Sequence, residues 1–295
     1  MFVTDAKHIE IIGAAACWGA KDHFCESGPS VLRNRGLLRE LQMQGSEVNW
    51  RHLDLPYLPD REANTLPIIA SYCEELADAV YDVVSGGAQF AVVGGDHSCA
   101  VGTWSGVHRA VSQQGAFGLI WVDAHMDSHT PASSHSGAVH GMPLAALLGY
   151  GDARLTRIAT PLPKLQPKHV CLVGVRSYEP EEAALLEQLK VRVFYMDEVE
   201  RRGLDAVFAE ALERVQRGTL GFGVSIDMDA LDPQDAPGVG SPEPHGLRGD
   251  DLVQSLTMVK EVEGLLGIEL VEFNPTRDDA DRTAKLASQL LLAAL

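Results

Sequence analysis

The chain has 295 residues, 45% hydrophobic and 22% charged, the balance of a soluble globular protein with room for one sizeable α/β domain or two small ones. Its 24 basic against 41 acidic side chains leave a formal charge of −17, which repels nucleic acid and anionic membrane and favours a cationic small molecule. The N-terminus has an acidic residue and no basic region ahead of a short apolar run, and the longest apolar runs are too short to span a bilayer. Neither a signal peptide nor a membrane segment is expected, and the location is read as cytoplasmic.

In chain order, residues 8–14 read as a first strand followed by a loop of small residues. Ser27-Gly28-Pro29-Ser30 then opens a helix whose apolar positions Val31, Leu32, Leu37, Leu38 and Leu41 keep helical spacing up to a stop at Gly45. A short strand near 47–52 and a proline-punctuated loop, 55–67, follow. Residues 66–84 carry Ile68, Ile69, Tyr72, Leu76, Ala79, Val80 and Val83 at i, i+3, i+4 spacing, an amphipathic helix ended by Gly86-Gly87. The strand 89–93 runs into Gly94-Gly95-Asp96-His97-Ser98, a helix covers about 99–112, and residues 117–122 form the next strand. The segment 128–141 has no periodicity and reads as a flexible polar loop of the kind that carries function at a sheet edge. Beyond it come a short helix, strands near 169–174 and 191–195 around a helix at 180–189, a helix at 203–217 and a strand at 220–226. After a loop with four prolines at 230–247, the chain closes with a helix at 249–263, a strand at 266–271 and a helix at 279–294.

Eight apolar strands alternating with helices predict a parallel sheet covered on both faces, in one domain spanning 1–295. The first strand, the long proline loops and the lack of a regular repeat favour an open three-layer α/β/α sandwich over a closed barrel. Five cysteines, an odd number with no C-x-x-C pair, argue against a disulfide framework and against a thiolate zinc site. They read as small core or surface residues.

Polar clusters fall at the ends of four of these strands: His97 after the third, Asp123, His125 and Asp127 after the fourth, Asp227 and Asp229 after the seventh, and Glu272 after the eighth. Open α/β sheets bind ligands beyond the carboxyl ends of their strands, so these clusters share one edge. In an extended strand end, residues two apart share a face, which lets Asp123, His125 and Asp127 converge, and Asp227 and Asp229 repeat the pattern. Burying such carboxylates without a cation would cost several kcal/mol. Gly94 and Gly95 would let the backbone approach a ligand closely. Asp96 reads as a cap or an acceptor behind the site, and Asp232 as a turn residue before Pro233.

Two histidines and four aspartates exceed what one ion needs. If Asp123 and Asp227 bridge, two divalent ions each find several ligands. A carboxylate-dominated set without thiolate points to Mn²⁺ before Zn²⁺, although other divalent metals can bind such ligands. Two ions roughly 3.5–4 Å apart can bring a bridging water to a pKa of about 7.

With these residues in place the chain resembles the ureohydrolases, the arginase and agmatinase family. The resemblance rests on Gly94-Gly95-Asp96-His97-Ser98, Asp123-Ala124-His125-Met126-Asp127, Val139-His140-Gly141, Ser225 to Pro233 and Glu272-Phe273-Asn274-Pro275, and covers nearly the whole chain. It implies an arginase-like fold with the third, eighth, seventh and fourth strands side by side, and a manganese hydrolase that releases urea from a guanidino compound. One Mn²⁺ would be held by His97, Asp123, Asp127 and Asp227, the other by Asp123, His125, Asp227 and Asp229. Glu272 would pair with the guanidinium, a hydroxide bridging the ions would attack its carbon, Asp127 would help stabilise the tetrahedral intermediate and His140 would shuttle a proton to the leaving amine. A homotrimer or homohexamer is also implied.

Substrate choice within the family falls on the rim. Where arginases have two asparagines against the substrate's α-carboxylate this chain has His129 and Ala138, while Ser136 matches, and Glu179 stands where arginases place an aspartate against the α-amino group. The segment Glu26 to Arg33 looks more like arginases than agmatinases, so the expected reaction is L-arginine to L-ornithine and urea, with agmatine or a guanidino acid as alternatives. Metallophosphoesterases also carry D-x-H, but near the N-terminus and with a later G-N-H segment. Histone deacetylase-like relatives use one metal. A metal-binding pseudoenzyme is disfavoured because every expected ligand, His140 and Glu272 are present.

Overall fold

Each predicted strand recurs in the computed structural model, which describes residues 8–20, 24–54 and 65–295. They are β1 (His8–Ala15), β2 (Glu47–Asp54), β3 (Gln89–Gly94), β4 (Gly118–Val122), β5 (Val170–Val175), β6 (Arg192–Tyr195), β7 (Phe222–Asp227) and β8 (Leu265–Val271). The helices are α1 (Gly28–Asn34), α2 (Leu37–Met43), α3 (Leu66–Ser85), α4 (Cys99–Val111), α5 (Pro143–Leu147), α6 (Ala153–Thr156), α7 (Pro180–Leu189), α8 (Met196–Arg202), α9 (Leu204–Gln216), α10 (Gly249–Glu261) and α11 (Arg282–Ala294). Most of the expected proline loop at 55–67 lies outside the described residues, as do residues 1–7.

The strands pair only in parallel, in the order β2-β1-β3-β8-β7-β4-β5-β6, with β2 and β6 as free edges, so the sheet is open rather than a barrel. Parallel sheets survive where helices cover both faces, and every residue of β4 and β7 is buried. One face is closed by α1, α2, α9, α10 and α11 through side chains such as Leu32, Leu41, Phe208, Leu252 and Leu290. The other is closed by α3, α4, α5 and α7 through Leu76, Trp104, Leu144 and Leu186. No helix among the described residues is long and apolar enough to cross a membrane.

The helix expected over 28–44 is two helices. Gly36 adopts φ +97°, a left-handed backbone that ends the first and begins the second, and hydrophobic spacing alone does not register such a break. The last helix starts at Arg282 rather than 279, because Ala280 and Asp281 are left-handed and the Asp278 carboxylate accepts the N–H groups of Thr283 (2.9 Å) and Ala284 (3.1 Å). Helix α8, absent from the sequence reading, fills the step between β6 and α9. The expectation of no disulfide is overturned: Cys17 and Cys25 form one, their Cα atoms 5.9 Å apart, within the range a disulfide spans. Cys73, Cys99 and Cys171 are buried free thiols, as expected.

The close approach at Gly94 and Gly95 is made by the protein's own chain. A Cβ on Gly95 would lie 1.8 Å from the Ala16 carbonyl oxygen, and one on Gly94 would meet Val271 at 2.8 Å. Here the glycines let β3 pass tightly between the exit of β1 and β8.

Candidate metal centre and active site

The strand order sets β3, β8, β7 and β4 side by side, so their carboxyl ends deliver His97, Glu272, Asp227 with Asp229, and Asp123 with His125 and Asp127 to one place. The His97 Nδ1 atom lies 3.2 Å from Asp123 Oδ2, 3.0 Å from Asp127 Oδ2 and 3.0 Å from Asp227 Oδ2. His125 Nδ1 lies 3.4 Å from Asp123 Oδ1 and 3.3 Å from Asp229 Oδ2. His97, Asp123, Asp127 and Asp227 form one group of converging ligand atoms, and Asp123, His125 and Asp229 a second that shares Asp123. Asp227, expected to serve both, falls in the first group alone, and its Oδ1 accepts the Asp229 N–H at 2.8 Å.

Convergence after β4 is achieved differently from the extended geometry expected. The strand stops at Val122, the Asp123 carboxylate accepts the His125 N–H at 2.7 Å, and Asp127 takes φ +47°. Left-handed backbone at a non-glycine residue costs roughly 1–3 kcal/mol and persists only where neighbours over-determine it. The Asp127 carbonyl accepts the Leu144 N–H at 2.9 Å, which anchors it. Glu272, at φ +63°, is held likewise by its N–H to the Gly95 carbonyl at 2.7 Å. Asp96 is the acceptor expected behind the site: it takes the N–H groups of Gly19 and Ser98 at 2.8 and 2.9 Å. Asp232 holds its turn by accepting the Gln234 and Gly246 N–H groups.

The electrostatics are those of a site built for cations. Burial, reinforced by neighbouring carboxylates, pushes Asp227 well above the ordinary carboxylate range, and Asp127 up to about 6. Burial also lifts Asp229, whose Oδ1 is enclosed without a hydrogen-bond partner among the described residues. For Asp123 burial acts in the same direction, but hydrogen bonds from His125 and His97 outweigh it and hold this carboxyl low. An orphaned buried oxygen beside four crowded carboxylates and two imidazoles fits divalent metal ions with a preference for oxygen ligands.

Next to this cluster, His140 Nδ1 lies 3.0 Å from Glu272 Oε1, which also accepts the His97 N–H at 2.9 Å. Burial disfavours charge on His140, but the bond to Glu272 outweighs it and raises the imidazole to about 9, while Glu272 is held below its ordinary value. His125, Asp127, Asp227 and Asp229 line a cavity of ≈ 170 Å³ together with His129, Ser136, His140 and Glu179. Glu272 lines a neighbouring cavity of ≈ 370 Å³ that shares Ser136, His140 and Ser241 with the first.

At the rim the loop 128–141 is tied rather than loose, its ends joined by the His129 N–H to the Gly141 carbonyl at 3.0 Å. His129 is buried, with Nδ1 3.1 Å from Ser133 Oγ and Nε2 3.0 Å from Glu179 Oε2. Ser136 is exposed, and its hydroxyl accepts the Ala138 N–H at 3.2 Å.

Sequence reasoning missed three participants. Glu182, buried at the start of α7, faces His129 and accepts the N–H groups of Ser128 and Glu179. Arg176 clamps the loop after β7 to residues 243–244 through the carbonyls of Asp229, Ala230, Glu243 and Pro244. Glu269, fully buried within β8, lies behind His97. Its signal was a charge inside an otherwise apolar strand.

An all-parallel sheet with aspartates and histidines gathered beyond its central strands forms a carboxylate-rich site able to hold divalent metal ions. The model of the Arginase family matches residues 7–295. The arginase of Brevibacillus brevis is 37% identical over 290 residues, covering 97% of this chain and 96% of its own. The native structure of Bacillus caldovelox arginase superposes with a TM-score of 0.90 at 36% identity, covering 98% of both chains. The Entamoeba histolytica arginase, solved in complex with L-ornithine, superposes at 0.92 with 28% identity, again over 98% of both. The chain belongs to the arginase family and is a ureohydrolase-type hydrolase.

Proposed function

We propose that the protein hydrolyses L-arginine to L-ornithine and urea. The observation that carries the reading is the His140–Glu272 pair at 3.0 Å, set against the two carboxylate-imidazole groups and opening onto the same pair of cavities. Arginases of 36–37% identity and a relative solved with L-ornithine support the choice of amino acid.

His97, Asp123, Asp127 and Asp227 would hold one Mn²⁺ and Asp123, His125 and Asp229, with Asp227 alongside, a second. Bound there, two divalent ions polarise the substrate and lower the pKa of a coordinated water. Glu272 Oε1 is engaged by His97 N–H and His140, which leaves Oε2 to receive the guanidinium in a charge-assisted hydrogen bond. An imidazole raised to about 9 carries its proton at neutral pH, so His140 enters the reaction able to protonate the departing amine. Asp127 lines the first cavity, where its carboxylate would accept a hydrogen bond from the tetrahedral intermediate. Glu179, with Glu182 beneath it, would offer the α-ammonium a carboxylate, and His129 and Ser136, which line the same cavity, would meet the α-carboxylate.

A second substrate reading has its own support. Ala138 has no polar side chain and His129 is engaged by Glu179 and Ser133, which weakens the case for α-carboxylate recognition and leaves agmatine or a guanidino acid as the alternative. Manganese-loaded protein offered arginine, agmatine, guanidinobutyrate and guanidinopropionate should release urea fastest from arginine. Urea from none of the four would sink the proposal. The same reading makes residues 1–295 one domain, since both helical layers pack on a single sheet, and its assembly a homotrimer or homohexamer. A monomer mass by light scattering would refute the assembly.

A further inference from the structure

Glu269 is 0% exposed at the centre of the sheet, and no step proposed above uses it. It is the register partner of Ser225 across β7 and β8, and Ser225 is in turn the partner of Trp121 across β7 and β4, so the three side chains stand in one row on the same face. The Ser225 hydroxyl donates to Glu269 Oε2 at 2.7 Å, and the same Ser225 Oγ lies 3.0 Å from His97 Nε2. Trp121 stacks under the His97 ring, centroids 4.1 Å apart and planes within 10°.

The direction of this chain follows from its donors. Trp104 Nε1–H, which can only donate, reaches Glu269 Oε2 at 3.0 Å, so Oε2 acts as an acceptor. The other oxygen, Oε1, lies 2.6 Å from Thr103 Oγ1, and a proton on the carboxyl group would reside there, with Thr103 still able to donate to the Cys99 carbonyl at 3.3 Å. Ser225 therefore spends its single hydrogen on Glu269 whether or not that carboxyl is ionised. Its oxygen is left as an acceptor toward His97, which presents Nε2–H to it and turns Nδ1 toward Asp123, Asp127 and Asp227, so that a metal ion held by those carboxylates would take the Nδ1 lone pair in place of a proton. Trp121 sets the plane of the ring, and Ser225 decides which nitrogen is offered to the metal.

We infer that Glu269, acting through Ser225, is a positioning residue that fixes the His97 tautomer for metal binding at Nδ1. The inference rests on the proposed reading of His97 as a metal ligand. Outer partners of a ligating histidine are worth about 10–100-fold in metal affinity.

The test is a titration of Mn²⁺ into metal-stripped full-length protein, read as affinity at each of two sites alongside the melting temperature of the metal-free form. Ser225→Ala should weaken one site by about 10–100-fold and change the other by less than about three-fold. Glu269→Gln should stay within about three-fold of the parent at both sites, because the glutamine oxygen still accepts from Trp104 and Ser225 while its amide donates to Thr103. Glu269→Leu, if folded, should behave as Ser225→Ala. Unchanged affinities in Ser225→Ala overturn the inference and leave the metal reading standing. An equal fall at both sites that follows the melting temperature of the metal-free protein also overturns it, since that is general destabilisation. A parent protein that takes up no Mn²⁺ removes the metal reading itself.

Discussion

The strand-end cluster and the rim that overlooks it are built on opposite terms. In the cluster, Asp123, Asp127, Asp227 and Asp229 are almost wholly buried, each at the end of a central strand or the first bend beyond it, and Asp127 and the adjoining Glu272 keep a left-handed backbone because neighbours hold them there. At the rim, Glu179 and Ser136 are exposed, and the links run mostly between neighbouring loop and helix-start residues, such as His129 to Ser133 and Glu179 to Glu182. On the proposed reading, the sheet carries the chemistry and the loops choose what enters. Substitutions in the first region should therefore remove catalysis or metal, whereas substitutions in the second should move substrate preference.

The largest effect is expected at Asp127. Asp127→Ala removes a ligand from the first group and should lower kcat/KM by about 1,000-fold or more, with fewer than two ions per chain by elemental analysis. Full metal content in that variant would break the assignment of Asp127 to the cluster's inner shell. His140→Ala sits at the boundary of the two regions: it should keep two ions per chain and slow kcat by roughly 100- to 10,000-fold. Loss of metal there would show that the boundary is misplaced.

Glu179→Gln tests the rim alone. The expected outcome is a rise of about ten-fold in KM for arginine with kcat little changed, as befits a partly exposed charged contact. If KM for arginine does not move, the rim is not reading an α-amino group and agmatine becomes the better candidate.

The smallest effect concerns pH. Burial pushes Glu182 up to about 8 from an ordinary value of 4.5, so the folded protein holds this proton more tightly than the unfolded chain. The stability it lends is complete below about 4.5 and is lost as pH rises through about 8. Melting temperature should fall across that window by several degrees more in the parent than in Glu182→Gln. Equal slopes would mean that hydrogen bonds from Ser128 and Glu179 keep the group charged.

Much of the cluster was legible because its physics is local. An apolar run that ends in carboxylates and imidazoles two residues apart can be read without knowing what lies beside it, and the positions of His97, Asp123, Asp127, Asp227 and Glu272 followed from that. Asp229 and His125 were legible by the same spacing, although a bend rather than continued strand brings His125 and Asp127 round. The rim was less legible. Glu182 reads in sequence as one more acid on a helix, and only its burial against His129 distinguishes it. Glu269 could be noticed as a charge in an apolar strand, but its partners Ser225, Thr103 and Trp104 come from β7 and α4.

The sequence by itself determined the alternation of strands and helices, the parallel class of the sheet that alternation requires, and the residue types waiting at each strand end. These depend on periodicity and on abrupt changes of polarity within a few residues. Tertiary structure alone decided the break at Gly36, the Cys17–Cys25 bond, the tight passage at Gly95 and the row that joins Glu269 to His97. Each of those depends on what a second segment places within a few ångströms, and strand adjacency leaves no mark in the spacing of residues along one strand.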